Sequence, residues 1–130
     1  MCFLSLESSM RSEEYYRRDI IFANRRVTTF VRDITKDYFD TSDLYQSAVL
    51  FQLMIVGEAV SRISRAFKSK HPEIDWFSIS GFRHIIVHEY FSLNLEIVWH
   101  AANADAPELA NQISDILRQE YPDFAKANDL

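Results

Sequence analysis

With 130 residues, the chain is long enough for one domain with its own core, and 48% hydrophobic with 25% charged residues is the balance of a soluble globular protein. Two glycines and three prolines are too few for the turns of an all-β fold, and one cysteine, Cys2, excludes an internal disulfide and suits a cytoplasmic setting. The formal charge of −5 argues against non-specific coating of nucleic acid, so no DNA partner is expected, yet residues 1–83 are net +1 and residues 84–130 net −6.

Any anion-binding surface is therefore expected in the first two thirds. The chain reads as one domain over residues 1–130, with residues 1–11 a flexible N-terminal extension and residues 122–130 a loose tail. The opening MCFLSLESSM has no basic stretch ahead of its short apolar one, which argues against a signal peptide. The most apolar run, Ala48 to Val56, is interrupted by Gln52 and stops at Gly57-Glu58, well short of the ~20 residues that span a bilayer.

From Glu14 to Asp37, Tyr16, Ile20, Ala23, Val27, Phe30 and Ile34 recur at steps of three and four, which predicts a long first helix with one buried face. Asp40 to Asp43 supplies turn and cap side chains. A second helix from Leu44 to about Lys68 is apolar on nearly every side and should be central, with Gly57 marking a close helix crossing. His71-Pro72 ends it, because the residue before proline avoids helical geometry. Asp75 can cap a third helix running toward Tyr90, kinked at Gly81; Asn94 a fourth through Trp99; and Asp105 with Glu108 resembles a capping box for a fifth. Trp76 and Trp99 read as core or dimer-contact aromatics.

Chemistry concentrates in GFRHIIVHEY, residues 81–90, which holds two of the four histidines. Ile85, Ile86 and Val87 supply a buried strip, and the polar residues around them could be ordinary decoration. His84 and His88, four apart, share a helix face and could ligate one metal ion, but nothing positions a third ligand, so no metal is expected. The remaining reading is metal-free cleavage of RNA, whose 2′-hydroxyl is a built-in nucleophile. Such a site needs an acid or base working near neutrality and a cation at the phosphate, the chemistry of histidine and arginine. Arg83 and His88 lie about 140° apart around a helix, so they flank a groove, and a two-fold dimer could bring two such pairs to one cleft.

Arg83-His84-Ile85-Ile86-Val87-His88-Glu89-Tyr90 resembles the R-x-x-x-x-H-x-Y signature of HepT-like toxins, ribonucleases of the HEPN group. Gly57-Glu58-Ala59, His71-Pro72-Glu73-Ile74 with Trp76, Tyr90-Phe91, Leu95 to Trp99 and Pro107-Glu108-Leu109 follow in the same order, so the likeness spans residues 12 to 118. It implies an all-α bundle of about five helices, a homodimer with its cleft at the interface, an RNA substrate, and a small nucleotidyltransferase (MNT) antitoxin as partner. By position it makes Arg83 and His88 the catalytic pair and Tyr90 the residue that the partner modifies with AMP. His84 stands where the family often has asparagine, and is read as supporting. No cofactor is implied. The rival is a silent HEPN subunit that only binds a nucleotidyltransferase, which would not need the intact Arg83/His88 pair found here.

Two further features stand outside this motif. Arg11, Arg18, Arg25 and Arg32 recur every seven residues, as an RNA-facing line or, more simply, a solvated face offset by Glu14 and Asp19. Glu58 lies in an apolar neighbourhood, where a carboxylate needs a partner; an arginine or histidine of the cleft would serve.

Overall fold

A computed structural model describes residues 11–130, which are helical with no strand among them. The expectation of a flexible extension over residues 1–11 falls, apart from Arg11, outside the described residues. Helix α1 spans Glu13–Val31 and buries Ile20, Ile21, Ala23, Asn24, Val27 and Val31 along one stripe. It is shorter than its periodicity predicts. Thr35 starts a separate short helix α2, Lys36–Thr41, by accepting a hydrogen bond from the Tyr38 N–H at 3.1 Å. The break turns Phe39 into the core beside Val27 and Val31.

Ser42 caps α3, Asp43–Ser61, through the Tyr45 N–H. The second predicted helix also divides, because Ser64 caps a new short helix α4, Arg65–Lys70. The Ser64 N–H, left over at that start, donates to Glu13 Oε1 at 2.7 Å, so the break is satisfied from the first turn of α1. His71 closes α4, as its position before Pro72 requires.

Asp75 caps α5, Trp76–His88, accepting from the Ser78 N–H at 3.1 Å and hydroxyl at 2.6 Å. The helix runs through Gly81 and ends at His88; Tyr90–Ser92 form a separate 3₁₀ turn, so the third helix stops short of Tyr90. Asn94 caps α6, Leu95–His100, by accepting from the Glu96 N–H. The capping box expected at Asp105 does not form. A π-helical turn, Ala101–Asp105, joins α6 to α7, Ala106–Glu120, without leaving helical geometry, so there is no free N-terminus to cap. Ala101, Ala102 and Ala106 are buried in this stretch, where small side chains permit close packing.

The tail expected to be loose is ordered instead. Pro122–Ala127 forms α8, with Ala125 buried, Phe124 and Leu130 on the core, and Asn128 accepting from Arg18 Nη1 at 3.1 Å. Proline suits a first helical turn, where its missing N–H has no partner to lose.

α1 lies against α3 and α7, and α3 packs in turn against α5. The core forms two lobes. One joins Ile20, Val56, Val60, Phe67, Ile113 and Leu117; the other joins Val27, Phe39, Val49, Ile86 and Val98. Trp76 packs on the first and Trp99 on the second. By length and composition alone α3 is apolar enough to cross a membrane, and 33% of that window is buried within the chain. The packing of α3 against α1 and α5 uses the buried part, leaving a further apolar face to account for.

Candidate active site on helix α5

Helices α3 and α5 cross closely at Gly57. A Cβ there would overlap the Arg83 Cβ and lie 2.8 Å from its Cγ, so glycine is what allows the arginine stem to cross α3. Arg83 emerges beyond the crossing with a half-exposed side chain, and its Nη2 donates to Glu58 Oε2 at 2.9 Å. The other oxygen of the carboxylate, Oε1, lies 3.3 Å from Arg62 Nε. Glu58 thus sits between two guanidinium groups and holds one of them, Arg83, at the edge of the α3–α5 groove.

His84 and His88, on adjacent turns of α5, are both exposed, and their rings touch at a tilt of 46° with centroids 4.3 Å apart. The expected buried strip is narrower than the sequence predicts. Ile86 is buried, whereas Ile85 and Val87 are exposed, because α5 packs along one line against α3 and leaves its outer face open. Tyr90 lies past the helix end, 42% exposed, with its hydroxyl 3.3 Å from Ser47 Oγ on the first half of α3. Its position is therefore not set by the helical period of α5. The 3₁₀ turn carries it across to α3 instead, a contact that nothing in the spacing of Ser47 and Tyr90 announces.

The arginine line on α1 breaks up. Arg11 pairs with Asp19 at 2.8 Å, and Arg18 lies over the Tyr15 and Phe22 rings, which leaves Arg25 and Arg32 exposed. Arg17, absent from the sequence reading, is the buried member of this helix, paired with Glu13 and stacked on Phe67 and Tyr121. Its apolar surroundings make it part of the frame, and its one signal in the sequence is the Glu13 four residues earlier.

Chemically, α5 offers an oriented guanidinium backed by a carboxylate, two accessible imidazoles one turn apart, and an accessible phenol beyond them. Such a face places a cation beside groups able to move a proton, an arrangement suited to chemistry at a phosphate. Residues 20–124 match the family described as Ribonuclease HepT-like. The chain is 32% identical over 106 residues to Probable ribonuclease HepT of Thermococcus cleftensis, covering 82% of this chain and 96% of that protein. It is 34% identical over 90 residues to a provisionally named RNase of Caldanaerobacter subterraneus, covering 69% and 80% respectively. A provisionally named RNase of Methanocaldococcus jannaschii is 29% identical over 105 residues, 81% of this chain and 96% of the relative. No solved structure matches the chain. The protein belongs to the HepT-like ribonuclease family of HEPN proteins.

Proposed function

We propose that the protein is a metal-independent endoribonuclease, the toxin of a toxin–antitoxin pair, whose site lies on α5 at the interface of a homodimer. The observation that carries this reading is the Arg83 guanidinium, fixed by Glu58 at the edge of the groove on the same helix as the exposed His88. In the proposed reaction His88 takes the proton from an RNA 2′-hydroxyl, whose oxygen attacks the adjacent phosphorus. Arg83 neutralises the charge that builds on the phosphorane oxygens, and the 5′-oxygen leaves with a proton from an imidazole. The products carry a 2′,3′-cyclic phosphate and a 5′-hydroxyl. His84, in ring contact with His88, orients it, and Glu58 positions Arg83 without touching substrate.

Family membership and the names of the relatives support RNA as the substrate. An apolar line on α3 supports the homodimer. Leu44, Phe51 and Glu58 are spaced by seven, which places them along one side of the helix, and Leu44 and Phe51 are 76% and 57% exposed. A second copy covering that line would reach the site, because the line ends at the carboxylate that holds Arg83. Control by a nucleotidyltransferase antitoxin that transfers AMP to Tyr90 is supported by the accessibility of the phenol.

The test is RNA cleavage by the purified protein in excess EDTA. Activity is expected to persist with cyclic-phosphate ends, and Arg83→Ala and His88→Ala are each expected to lose at least ~10²-fold in rate. A folded His88→Ala variant that cleaves at the wild-type rate refutes the mechanism.

A further inference from the structure

Glu58 is shared by two guanidinium groups, and the reaction proposed above uses only one of them. Its Oε2 pairs with Arg83 Nη2 at 2.9 Å, and its Oε1 accepts from Arg62 Nε at 3.3 Å. Arg62 follows Glu58 by one turn, at the residue that closes α3. One carboxylate cannot neutralise two guanidiniums, so the three side chains leave a positive charge beside the groove. The contact engages only the Nε of Arg62. Among the described residues its Nη1 and Nη2 have no partner, and its side chain is 59% exposed. Those two amino groups form the forked edge with which an arginine grips a phosphate.

Charge around the site gives an RNA strand a direction. Past Glu58, residues 59–70 carry Arg62, Arg65, Lys68 and Lys70 and no acidic residue. Lys70 is held by Glu120 at 3.1 Å, whereas Arg62 and Arg65 are exposed. The cavity that opens between α3, α5 and the turn before α7 is lined instead by Glu73, Asp75, Asp105 and Glu108, with no lysine or arginine. A polyanion with one phosphate on Arg83 is therefore drawn toward the C-terminal end of α3 and repelled from that cavity.

We infer that Arg62 is a second substrate-binding residue of the site: with Nε kept on Glu58, its Nη edge holds the phosphate next to the one on Arg83, and the strand runs on past the end of α3. Glu58 sets the spacing, since each guanidinium sits on its own oxygen of one carboxylate. The inference rests on the proposed reading of Arg83 as a cation that meets RNA phosphate. Arg62 takes no part in making or breaking bonds. It adds affinity and fixes the register of the strand, so its removal is felt in KM rather than in kcat.

The test is binding of a short single-stranded RNA whose 2′-oxygens are methylated, which removes the nucleophile and separates binding from cleavage. Fluorescence anisotropy on the full chain should show Arg62→Ala binding several-fold more weakly, with the slope of log affinity against log salt shallower by about 0.7, the value for one phosphate contact on a single strand. Arg62→Lys keeps the charge and should restore the slope. Arg118→Ala removes another exposed arginine paired with a carboxylate of its own helix, Asp115 on α7, and should change neither quantity. With unmodified RNA, Arg62→Ala should raise KM several-fold and leave kcat near that of the wild type. Surface pairs of this exposure add little stability, so these variants are expected to fold. An Arg62→Ala variant with wild-type affinity and slope overturns the inference. So does one that loses kcat at unchanged KM, which would make Arg62 a support for Glu58 alone. If the wild type binds the methylated RNA through Arg62 but cleaves no RNA, the ribonuclease reading falls and the second phosphate contact stands; a wild type that binds no RNA overturns both.

Discussion

Arg83 and Glu58 meet 2.9 Å apart one residue beyond the glycine at which their helices cross, so the side chain that orients the guanidinium and the gap that admits it are consecutive in sequence. Gly57-Glu58 is therefore a single device, in which the first residue lets the arginine stem pass over α3 and the second receives its end. The two glycines of the chain differ sharply in this respect, since a Cβ on Gly81 would have nothing within 4 Å.

That contrast gives the first prediction. Gly57→Ala drives a methyl into the Arg83 stem where α3 and α5 cross and is expected to destabilise by ~1–3 kcal/mol, the usual cost of overpacking, and to displace Arg83 from Glu58. Gly81→Ala adds a better helix former in open space and should stabilise the chain by roughly 0.5–1 kcal/mol. Urea unfolding at one fixed protein concentration checks both. A stabilised Gly57→Ala would show that the crossing is looser than described.

The exposed apolar line of α3 gives the second. A homodimer that buries Leu44 and Phe51 should be split by Phe51→Glu, which puts a charge at the centre of the contact yet leaves the monomer core untouched, because Phe51 is 57% exposed. Light scattering should show the wild type at twice the chain mass and the variant at the chain mass with unchanged helicity. A wild type that stays monomeric at micromolar concentrations and still cleaves RNA removes the interface from the mechanism.

The third prediction concerns pH. Glu120, at the end of α7, pairs with Lys70 Nζ at 3.1 Å and lies 3.0 Å from His71 Nε2. Burial works to raise its pKa, but the hydrogen bond from Lys70 and the charge of His71 outweigh it and hold the group below the ordinary 4.5. A depressed carboxylate pKa contributes stability that is fully present above the ordinary value and is lost as pH falls through the folded value. Glu120→Gln should therefore lower the Tm near neutral pH and make little difference in strong acid, where both proteins carry a neutral side chain. A Tm difference that does not shrink between about pH 6 and about pH 3 would assign the effect to packing.

How much of this was legible before the structure depends on the range of the interactions involved. Helix stripes such as Ile20, Val27 and Ile113 follow from local periodicity, and so do the caps Ser42, Asp75 and Asn94, since each acts on its own or the next turn. The breaks at Thr35 and Ser64 were missed because apolar periodicity continues across them, and the partner that satisfies the second break, Glu13, is 51 residues away. At the candidate site, the Glu58–Arg83 pair was foreshadowed by a carboxylate in an apolar run, a signal of unmet need that does not depend on knowing the partner. The exposure of Ile85 and Val87 was not legible, because an exposed apolar face has the same local composition as a buried one.

Tyr90 gives the last prediction. Its hydroxyl lies near Ser47, beyond the end of α5 and 42% exposed, so it can be presented to another enzyme without unfolding the helix. An AMP group there would add a phosphodiester charge and a base two residues past His88, and the anion would compete with RNA phosphate for the Arg83 guanidinium. Activity should fall while helicity and Tm stay near those of the unmodified protein. Tyr90→Phe keeps the ring, loses only a long contact to Ser47, and should retain most of the ribonuclease activity because the phenol takes no part in proton transfer. It cannot accept AMP, so co-expression with a nucleotidyltransferase antitoxin should protect cells carrying the wild type and fail to protect those carrying Tyr90→Phe. Peptide mass spectrometry after co-expression should find the adduct on Tyr90 alone. If the antitoxin protects equally against both proteins, neutralisation works through binding, and the exposed phenol has some other use.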